Sequence, residues 1–313
     1  MNGGALDVVI VSYHSRELLR TCLDSLRAHP PSVPMSIVVV DNHSGDGTVE
    51  MVEREFSEVH LIAFGANRGF AAATNYGAER GSAPYLLALN PDTAVTDGAL
   101  DTVISTLESH PDVAVVGPRL ERPDGSLDHA ARRSFPTPLS ALGHFSGLGR
   151  RRSSPARLAD YRAPGVESGP VDAVNGAFML MRRSAFERAG GFDEGYWMYM
   201  EDLDLSYRLQ RQGWLSWYEP SATVRHVKGG TVGGPRPLRL NWHFHRGMGR
   251  FYRQHYAPER SSAMNALVYA GIAVKLAASA AQSLLRRSLA RRRHRRPADA
   301  ASEGGSPSTP GGG

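Results

Sequence analysis

An α/β fold built on a mainly parallel sheet is predicted for the first part of the chain. Short runs of β-branched apolar residues alternate there with segments whose apolar residues recur at helical spacing. This alternation is typical of βαβ units, in which a Rossmann-like sheet is flanked by helices. The runs that predict strands are residues 6–13, 36–41, 59–64, 85–90 and 113–116, and those that predict helices are residues 16–29, 49–56, 69–80 and 100–107.

The second part of the chain is less regular. Residues 131–170 are rich in Arg, Ser, Pro and Gly, which predicts a flexible excursion over the surface. Beyond it we expect strands at 177–181, 214–218 and 223–227, and helices from 184, at 201–212, at 238–256 and at 261–289. Residues 297–313 contain too few apolar side chains to fold, so a disordered tail is expected.

The positive net charge of the chain resides in its C-terminal segment. The 313 residues carry a formal charge of +5, but residues 286–296 contain seven arginines and no acid. Without these seven, 29 basic residues remain against 31 acidic ones. This distribution argues against nucleic acid as a partner of the body and predicts a basic appendage that meets an anionic membrane surface, with a merely solubilising charge run as the alternative.

Cys22 is the only cysteine, so no disulfide can form within the chain and no cysteine-cluster metal site is possible. It shares the apolar side of a predicted helix with Leu18, Leu19 and Leu26, which indicates a core position. No charged-then-apolar leader precedes residue 6, and we expect the chain to stay in the reducing cytoplasm.

The segment Asn90-Pro91-Asp92 ends an apolar predicted strand. Pro91 has no backbone N–H and stops the strand, which places Asp92 at its carboxyl end. Ligands of open α/β sheets bind at that edge, and a carboxylate there can hold a divalent cation against a diphosphate. Asn-Pro-Asp is also favourable turn chemistry, so a simple turn is the alternative.

Polar residues also follow the other predicted strands. Because the carboxyl ends of parallel strands meet at one edge, these residues predict a nucleotide site. Asp41 can accept from a nucleobase N–H or from ribose hydroxyls, or else cap a turn, and the asparagines can equally be helix caps or surface amides. The chain has neither a Gly-x-Gly-x-x-Gly nor a phosphate-loop motif. The residues concerned are Ser12, Tyr13, Asp41, Asn67, Gly69 and Asn75, together with Asn90 and Asp92.

A second carboxylate cluster follows an aromatic and methionine-rich stretch that includes Trp197. Glu201 and Asp202 stand at the start of a predicted amphipathic helix, where the helix dipole alone favours acids. An adjacent acid pair behind an apolar wall is also suited to general-base catalysis. His226 stands at the end of a predicted strand beside a glycine-rich turn, which indicates a contact with metal or phosphate.

Eight segments of the sequence, taken in their order along the chain, resemble motifs of glycosyltransferase family 2. Within that family they resemble the rhamnosyltransferases of bacterial cell-wall and O-antigen assembly. The resemblance covers residues 6–256. It implies a GT-A fold in residues 1–258, with a nucleotide-sugar half at 1–118 and an acceptor half at 119–258. The eight segments are residues 11–13, 39–48, 67–75, 89–92, 175–179, 190–194, 201–205 and 226–231.

The resemblance also implies roles for individual residues. Asn90-Pro91-Asp92 matches the family's metal-binding Asp-x-Asp with its first acid missing, so Mg²⁺ or Mn²⁺ would depend on Asp92, with His226 as a further ligand. Asp41 matches the nucleobase-contacting acid, and Asp202 matches the catalytic base, with Glu201 beside it. The positions that line the sugar and the acceptor match Asn175, Gly176 and residues 190–193, and Trp197 is assigned to the same group.

The function expected from this resemblance is inverting transfer of L-rhamnose from dTDP-rhamnose onto a polyprenyl-linked glycan precursor. One carboxylate can remove the acceptor's proton while a cation offsets the charge on the departing diphosphate. Transfer from another nucleotide sugar, such as UDP-galactofuranose, is one alternative. A catalytically silent assembly factor docked on the membrane is another, because Asn90 replaces an acid.

Residues 259–296 predict an amphipathic helix followed by a basic segment. A polar stripe is expected at Lys275, Ser279, Gln282, Ser283 and Arg286, with Leu267, Val268, Ile272, Val274, Leu276 and Leu284 on the opposite face. A lysine near the middle disfavours a spanning helix. The pattern predicts peripheral attachment to the inner face of the cell membrane, or alternatively a helix packed on the protein body.

Overall fold

A computed structural model describes residues 5–135, 167–227 and 237–294. The strands, β1 to β11, are Leu6–Ser12, Met35–Asp41, His60–Ala63, Tyr85–Leu89, Thr93–Val95, Val113–Glu121, Arg132–Arg133, Gly169–Val171, Ala173–Val174, Phe178–Arg182 and Leu215–His226. The helices, α1 to α8, are Arg16–Ala28, Thr48–Glu55, Phe70–Ala78, Ala99–Ser109, Arg183–Arg188, Glu201–Arg211, Leu238–His255 and Ser262–His294. A short 3-10 turn, Ala257–Glu259, joins the last two helices.

Nine of these strands form one sheet in the order β3-β2-β1-β4-β10-β6-β11-β5, with β8 paired to β11. Strands β1 to β4, β6 and β11 run in one direction, whereas β10 lies antiparallel between β4 and β6. The prediction of an α/β fold on a mainly parallel sheet is therefore confirmed. Strands β5 and β8 are antiparallel to β11, and β7 pairs with β9 in a separate ladder.

Helices cover both faces of the sheet, which explains why its central strands are apolar throughout. Val8 and Ile10 of β1 pack into one hydrophobic cluster with residues of α1, α2 and α4. Val9 and Val11, which point to the other face, pack with residues of α3, α5 and α6. Cys22 is fully buried in the first cluster, so its predicted core position is confirmed.

The antiparallel strands add a further loop to the carboxyl edge of the parallel ones. Strand β10 begins at that edge, because Phe178 pairs with Leu89 at the end of β4. Strand β5 also begins there, because Thr93 pairs with His226 at the end of β11. The segment that precedes β10 therefore joins those that follow β1 to β4, and the segment between β4 and β5 lies beside the end of β11.

Several short strands were not predicted. No strand was predicted at residues 93–95, and 214–218 and 223–227 were expected to be two strands. The structure has β5 at the first position and a continuous β11, with a register irregularity between Glu219 and Thr223, at the second. Strands of two or three residues are too short to show alternation and form only because a partner strand is present.

The predicted excursion at 131–170 is wrong at both of its ends. Arg132–Arg133 pairs with β9, and Gly169–Val171 pairs with β11. These residues lack an apolar period because backbone pairing, rather than a buried face, holds them. Residues 136–166 and the predicted tail at 297–313 lie outside the described residues.

The long C-terminal helix is present as α8, but its faces were assigned incorrectly. Val268, Ile272 and Leu276 lie on the same half-buried side as Lys275 and Ser279, against α7. Met264, Leu267 and Val274 are exposed on the outer side. Within the described residues, Ser262–Ser283 is a helical segment long and apolar enough to span a membrane by length and composition alone.

Candidate functional site

Most of the predicted site residues meet at the carboxyl edge of the sheet. Ser12 and Asp41 end β1 and β2, Asn90 and Asp92 lie between β4 and β5, and His226 ends β11. The segment before β10 enters beside them, since the Asn90 backbone N–H donates to the Ala177 carbonyl at 2.9 Å. Residues from both halves of the chain are thus brought together.

Asp92 and His226 face each other, and an unpredicted acid completes the group. The Nε2 atom of His226 lies 3.5 Å from Oδ1 of Asp92, and its Nδ1 atom lies 3.5 Å from Oδ2 of Asp128. All three side chains are buried. Burial lowers the pKa of His226, but Asp128 and Asp92 outweigh it and raise the pKa to about 9.

The Asp92 carboxylate suits a divalent cation. Its Oδ1 atom is buried and has no hydrogen-bond partner among the described residues, which is costly unless another group completes its shell. A carboxylate oxygen and a neutral imidazole nitrogen are ligands that Mn²⁺ accepts, so an ion here would displace the proton that the two carboxylates favour on His226. No group of three or more potential ligands is arranged around an ion position in the described part, so a diphosphate and water would supply the remaining ligands.

Asp128 could not be recognised from the sequence. It lies in the turn after β6, where its Oδ1 accepts from the Ala130 backbone N–H at 3.1 Å and lies 3.5 Å from the Arg122 guanidinium. These contacts hold its other oxygen toward His226. A carboxylate behind a metal-binding histidine orients the ring, but nothing in the local pattern distinguishes Asp128 from the other turn acids.

The acid pair lies at the start of α6, and three donors hold the Asp202 carboxylate. Its Oδ2 accepts from the Gly176 backbone N–H at 2.9 Å and from the Arg133 guanidinium, and its Oδ1 accepts from the Leu203 N–H at 2.8 Å. A Cβ on Gly176 would lie 3.0 Å from the same carboxylate, so this close approach requires glycine. Arg133 was not predicted as a site residue, because its side chain reaches Asp202 only when β7 pairs with β9.

The carboxyl group of Glu201, unlike that of Asp202, has an oxygen that accepts no hydrogen bond from the described residues. This oxygen is Oε2, and the side chain is buried. Burial, and then the neighbouring charge of Asp202, raise the pKa of Glu201 from 4.5 to about 8. At neutral pH Glu201 is therefore mainly protonated.

Residues 67–75 and 190–200 meet across the mouth of the site. Gly69 has a φ of +87°, and a Cβ there would lie 2.4 Å from the Trp197 carbonyl. The Phe70 N–H donates to that carbonyl at 2.9 Å. The Trp197 ring in turn stacks on His243 with centroids 4.4 Å apart. The predicted donor and acceptor segments are therefore in direct contact.

The two predicted asparagines of this region mainly position backbone. Asn67 accepts from the Gly69 N–H at 2.9 Å. Asn75 donates to the Phe192 carbonyl at 2.8 Å and accepts from the Phe192 N–H at 2.9 Å, which fastens α3 to the loop before α6. Asn175 similarly accepts from the Ala177 N–H at 2.9 Å.

The remaining residues that were predicted to contact the nucleotide sugar lie at the ends of β1 and β2. Asp41 accepts from the hydroxyl and the backbone N–H of Ser44, as its predicted turn alternative requires. Ser12 and Ser15 share a hydrogen bond between their hydroxyls at 2.9 Å. Tyr13 is 41% exposed at the same edge. The glycine-rich turn that follows His226 lies outside the described residues.

Backbone strain is concentrated around this site. The described non-glycine residues with positive φ are His14, His43, Tyr199 and Met200. The first two follow β1 and β2, and the other two precede α6. Such conformations cost about 1–3 kcal/mol each and persist where the surroundings enforce them, which is common at functional sites.

Comparisons with known proteins agree with this geometry. A model of glycosyl transferase family 2 matches residues 7–190. An N-acetylglucosaminyl-diphospho-decaprenol L-rhamnosyltransferase of Mycobacterium tuberculosis is 36% identical over 241 residues, which are 73% of this chain and 78% of the relative. A poly-beta-1,6-N-acetyl-D-glucosamine synthase of Staphylococcus epidermidis is 24% identical over 247 residues, covering 76% of this chain and 53% of that protein.

Solved structures share the fold. A mannosyltransferase from Pyrobaculum calidifontis in complex with GDP-Man and Mn²⁺ aligns with a TM-score of 0.55 and 17% identity, over 93% of this chain and 81% of that chain. GalNAc-T7 with UDP, GalNAc and Mn²⁺ aligns with a TM-score of 0.58 and 16% identity, over 80% of this chain and 48% of that chain. At these identities the likeness concerns the fold.

The fold and the arrangement of the site define a glycosyltransferase with the GT-A architecture. The chain belongs to glycosyltransferase family 2, since the family model matches more than half of its length and the mycobacterial relative is similar over most of it. The family resemblance seen in the sequence is confirmed.

The buried state of Glu201 predicts a pH-dependent stability. The folded protein retains a proton there that the unfolded chain releases above pH 4.5, so the free energy of unfolding should fall as pH rises from about 4.5 to about 8. Urea unfolding of wild type and Glu201→Gln at pH 5.5 and 7.5 measures this term. Wild type should lose about 2 kcal/mol relative to the variant over this interval.

The control is Glu53→Gln, which neutralises an exposed acid on α2. It should leave the difference from wild type constant with pH. Equal pH slopes for wild type and Glu201→Gln would show that Glu201 is not held protonated.

Proposed function

We propose that this chain transfers L-rhamnose from dTDP-rhamnose, with inversion, onto a GlcNAc unit linked to a polyprenyl diphosphate. The principal support is that carboxylates from the two halves of the chain, Asp92 and Asp202, lie at one edge of the sheet in settings suited to different tasks. The activity for which the mycobacterial relative is named supplies the sugar and the acceptor class.

In this proposal Asp202 takes the proton of the acceptor hydroxyl. Arg133 and two backbone N–H groups orient its carboxylate before the acceptor arrives. Glu201 is mainly protonated at neutral pH, so it acts beside the base as a neutral neighbour. A positioned base of this kind removes the proton as the hydroxyl attacks the anomeric carbon.

The leaving group is a nucleoside diphosphate, whose charge increases as the glycosidic bond breaks. Asp92 and His226 would hold Mg²⁺ or Mn²⁺, which offsets that charge. Asp128 keeps the ring of His226 turned toward Asp92. The missing acid at Asn90 leaves more of the coordination to the diphosphate itself.

The nucleotide would lie over the ends of β1 and β2. Asp41 keeps lone pairs beyond those used by Ser44 and can accept from the nucleobase, while Tyr13 offers an exposed ring and Ser12 a hydroxyl. Asn67, Gly69 and Asn75 shape the adjoining loop. Asn175, Gly176 and Trp197 would line the side on which the sugar and the acceptor meet.

Two other functions are each supported by one observation. Another nucleotide sugar, such as UDP-galactofuranose, fits the same edge, because the contacts of Asp41 do not distinguish one pyrimidine base from another. A catalytically silent assembly factor is suggested by Asn90, but the held carboxylate of Asp202 argues against it.

The proposed location is the cytoplasmic face of the cell membrane. The outer side of α8 exposes Leu267 and Val274, and seven arginines follow in residues 286–296. Such a helix lies in the bilayer interface with its cations near anionic lipid. A polyprenyl-linked acceptor remains in the bilayer, so an enzyme that uses it must work at this surface.

The decisive assay incubates the protein with a lipid-linked GlcNAc diphosphate and either dTDP-rhamnose or UDP-galactofuranose. Product should form from dTDP-rhamnose alone, and thermal stabilisation by nucleotide sugars should show the same preference. Product from UDP-galactofuranose alone would replace the proposed donor, and no product from either would support the silent alternative.

Asp202→Asn keeps the size of the side chain and removes its basicity. It should lower kcat by about 10²-fold or more while dTDP binding persists. Glu201→Gln is the matched control and should retain most of the turnover at neutral pH, because Glu201 is already neutral there. A loss of turnover in Glu201→Gln but not in Asp202→Asn would show that Glu201, and not Asp202, is the general base.

Asp92→Ala should abolish high-affinity Mn²⁺ binding in the presence of dTDP, as measured by electron paramagnetic resonance. Excess EDTA should suppress transfer by the wild type. Asp97→Ala is the control, because Asp97 lies just after β5 with a side chain that is 98% exposed. Full activity in excess EDTA would show that transfer needs no metal. Cationic side chains of the protein would then have to stabilise the charge of the diphosphate.

A further inference from the structure

Helix α7 separates the C-terminal helix from the active-site loop. It packs antiparallel to α8, since Tyr252 donates to Asn265 at 2.7 Å near one end and Ser279 donates to Asn241 at 3.1 Å near the other. Contacts at both ends seat the described part of α8 along α7. The orientation of one helix therefore determines the orientation of the other.

Three consecutive residues show how the sides of α7 are used. Asn241 contacts α8, Trp242 is 54% exposed, and His243 stacks on Trp197 of the active-site loop. Successive residues of a helix point about 100° apart. The side that carries Trp242 therefore lies between α8 and the mouth of the site.

This open side is a continuous stripe of apolar and cationic residues. Its members are spaced by four, four and seven positions, which places them in one row along the helix. They are Leu238, Trp242, Arg246 and Arg253, and all four are exposed. We call this row the α7 stripe.

The charge around the stripe is of one sign. Between residues 238 and 296 the chain has a single acid, Glu259, whereas the whole sequence has 31 acids in 313 residues. Helix α7 itself contains four arginines and no acid. A surface with tryptophan at its centre and arginines along its length matches the headgroup region of an anionic bilayer.

The exposed side of α8 favours a bilayer over a protein partner. Leu267 is 56% exposed and Val274 is 68% exposed, and the segment Ser262–Ser283 has a mean hydropathy of 1.4 with its apolar window unburied. An apolar strip of about 30 Å along a helix is extensive enough to lie in a lipid interface. Both α7 and α8 therefore expose apolar side chains.

We infer that the α7 stripe is itself part of the membrane-docking surface, and that α7 and α8 together hold an anionic bilayer next to the mouth of the site at Trp197. This inference rests on the proposed use of a lipid-linked acceptor and extends it. With the stripe on lipid, the diphosphate of the acceptor has only the width of α7 to cross before it reaches the active-site loop.

Flotation of the full chain with vesicles tests the inference. Vesicles of phosphatidylcholine with 30 mol% phosphatidylglycerol should bind wild type, and pure phosphatidylcholine should bind it weakly. Trp242→Glu should lower the partition constant at least 5-fold. Arg246→Ala combined with Arg253→Ala should lower it about 10-fold or more on anionic vesicles, with little change on neutral ones.

Ser105→Glu is the matched control, because it adds one negative charge at an exposed position of α4 and should float like wild type. Circular dichroism and thermal stabilisation by dTDP establish that each variant is folded. Leu267→Glu combined with Val274→Glu tests α8 separately. Wild-type flotation by both α7 variants, with loss only in the α8 variant, would overturn the inference and leave α8 as the sole anchor.

Transfer to a water-soluble GlcNAc diphosphate with a short alkyl chain separates this inference from the proposed function. The α7 variants should act on it like wild type and lose activity only with the polyprenyl acceptor in vesicles. Wild type that transfers to the soluble acceptor but never floats would overturn the docking surface while the enzyme function stands. Failure with both acceptors would refute the function itself.

Discussion

Strand β5 runs back along the end of β11, and the geometry of the charged edge depends on this pairing. The register of Thr93 with His226 places Asp92 beside the imidazole, and the Val227 N–H donates to the Asp92 carbonyl at 2.8 Å. Asp92 belongs to the first half of the chain and His226 to the second. Three residues of backbone pairing therefore assemble a pair of potential metal ligands separated by more than 130 positions.

The partners of the other acids at this edge of the sheet are explained by the free-energy cost of burying a charge. Asp92, Asp128 and Asp202 are almost fully buried, and each would be strongly unfavourable there without partners. His226 compensates the first two, and Arg133 with backbone N–H groups compensates the third. For Glu201, burial and the charge of Asp202 outweigh the compensation from Arg133 and a backbone N–H, so its pKa is raised instead. Differential solvation thus gives neighbouring carboxyl groups different chemical properties, which suits a reaction that needs a base and an anion-binding centre at once.

Helix α7 connects this edge to the outer surface. Gly247 allows α7 to approach the strained Tyr199–Met200 turn before α6. Arg250 holds Asp193 of the same loop through three hydrogen bonds at 2.7, 2.8 and 2.9 Å. The side of α7 that carries His243 thus supports the loop, while another side carries α8. The α7 stripe and the loop proposed to meet the acceptor are in this way parts of one packed assembly.

The amino-acid sequence was sufficient to predict the alternation of strands and helices, the apolar faces of the first half, and four candidate site residues, Asp92, Glu201, Asp202 and His226. These features are local, because periodicity and strand ends are read within about ten residues. Tertiary structure alone decided that Asp128 supports His226, that Arg133 reaches Asp202, and that Lys275 and Ser279 face α7 instead of solvent. Such contacts join residues far apart in the chain, and a local pattern shows which residues can be buried but not which partner will cover them.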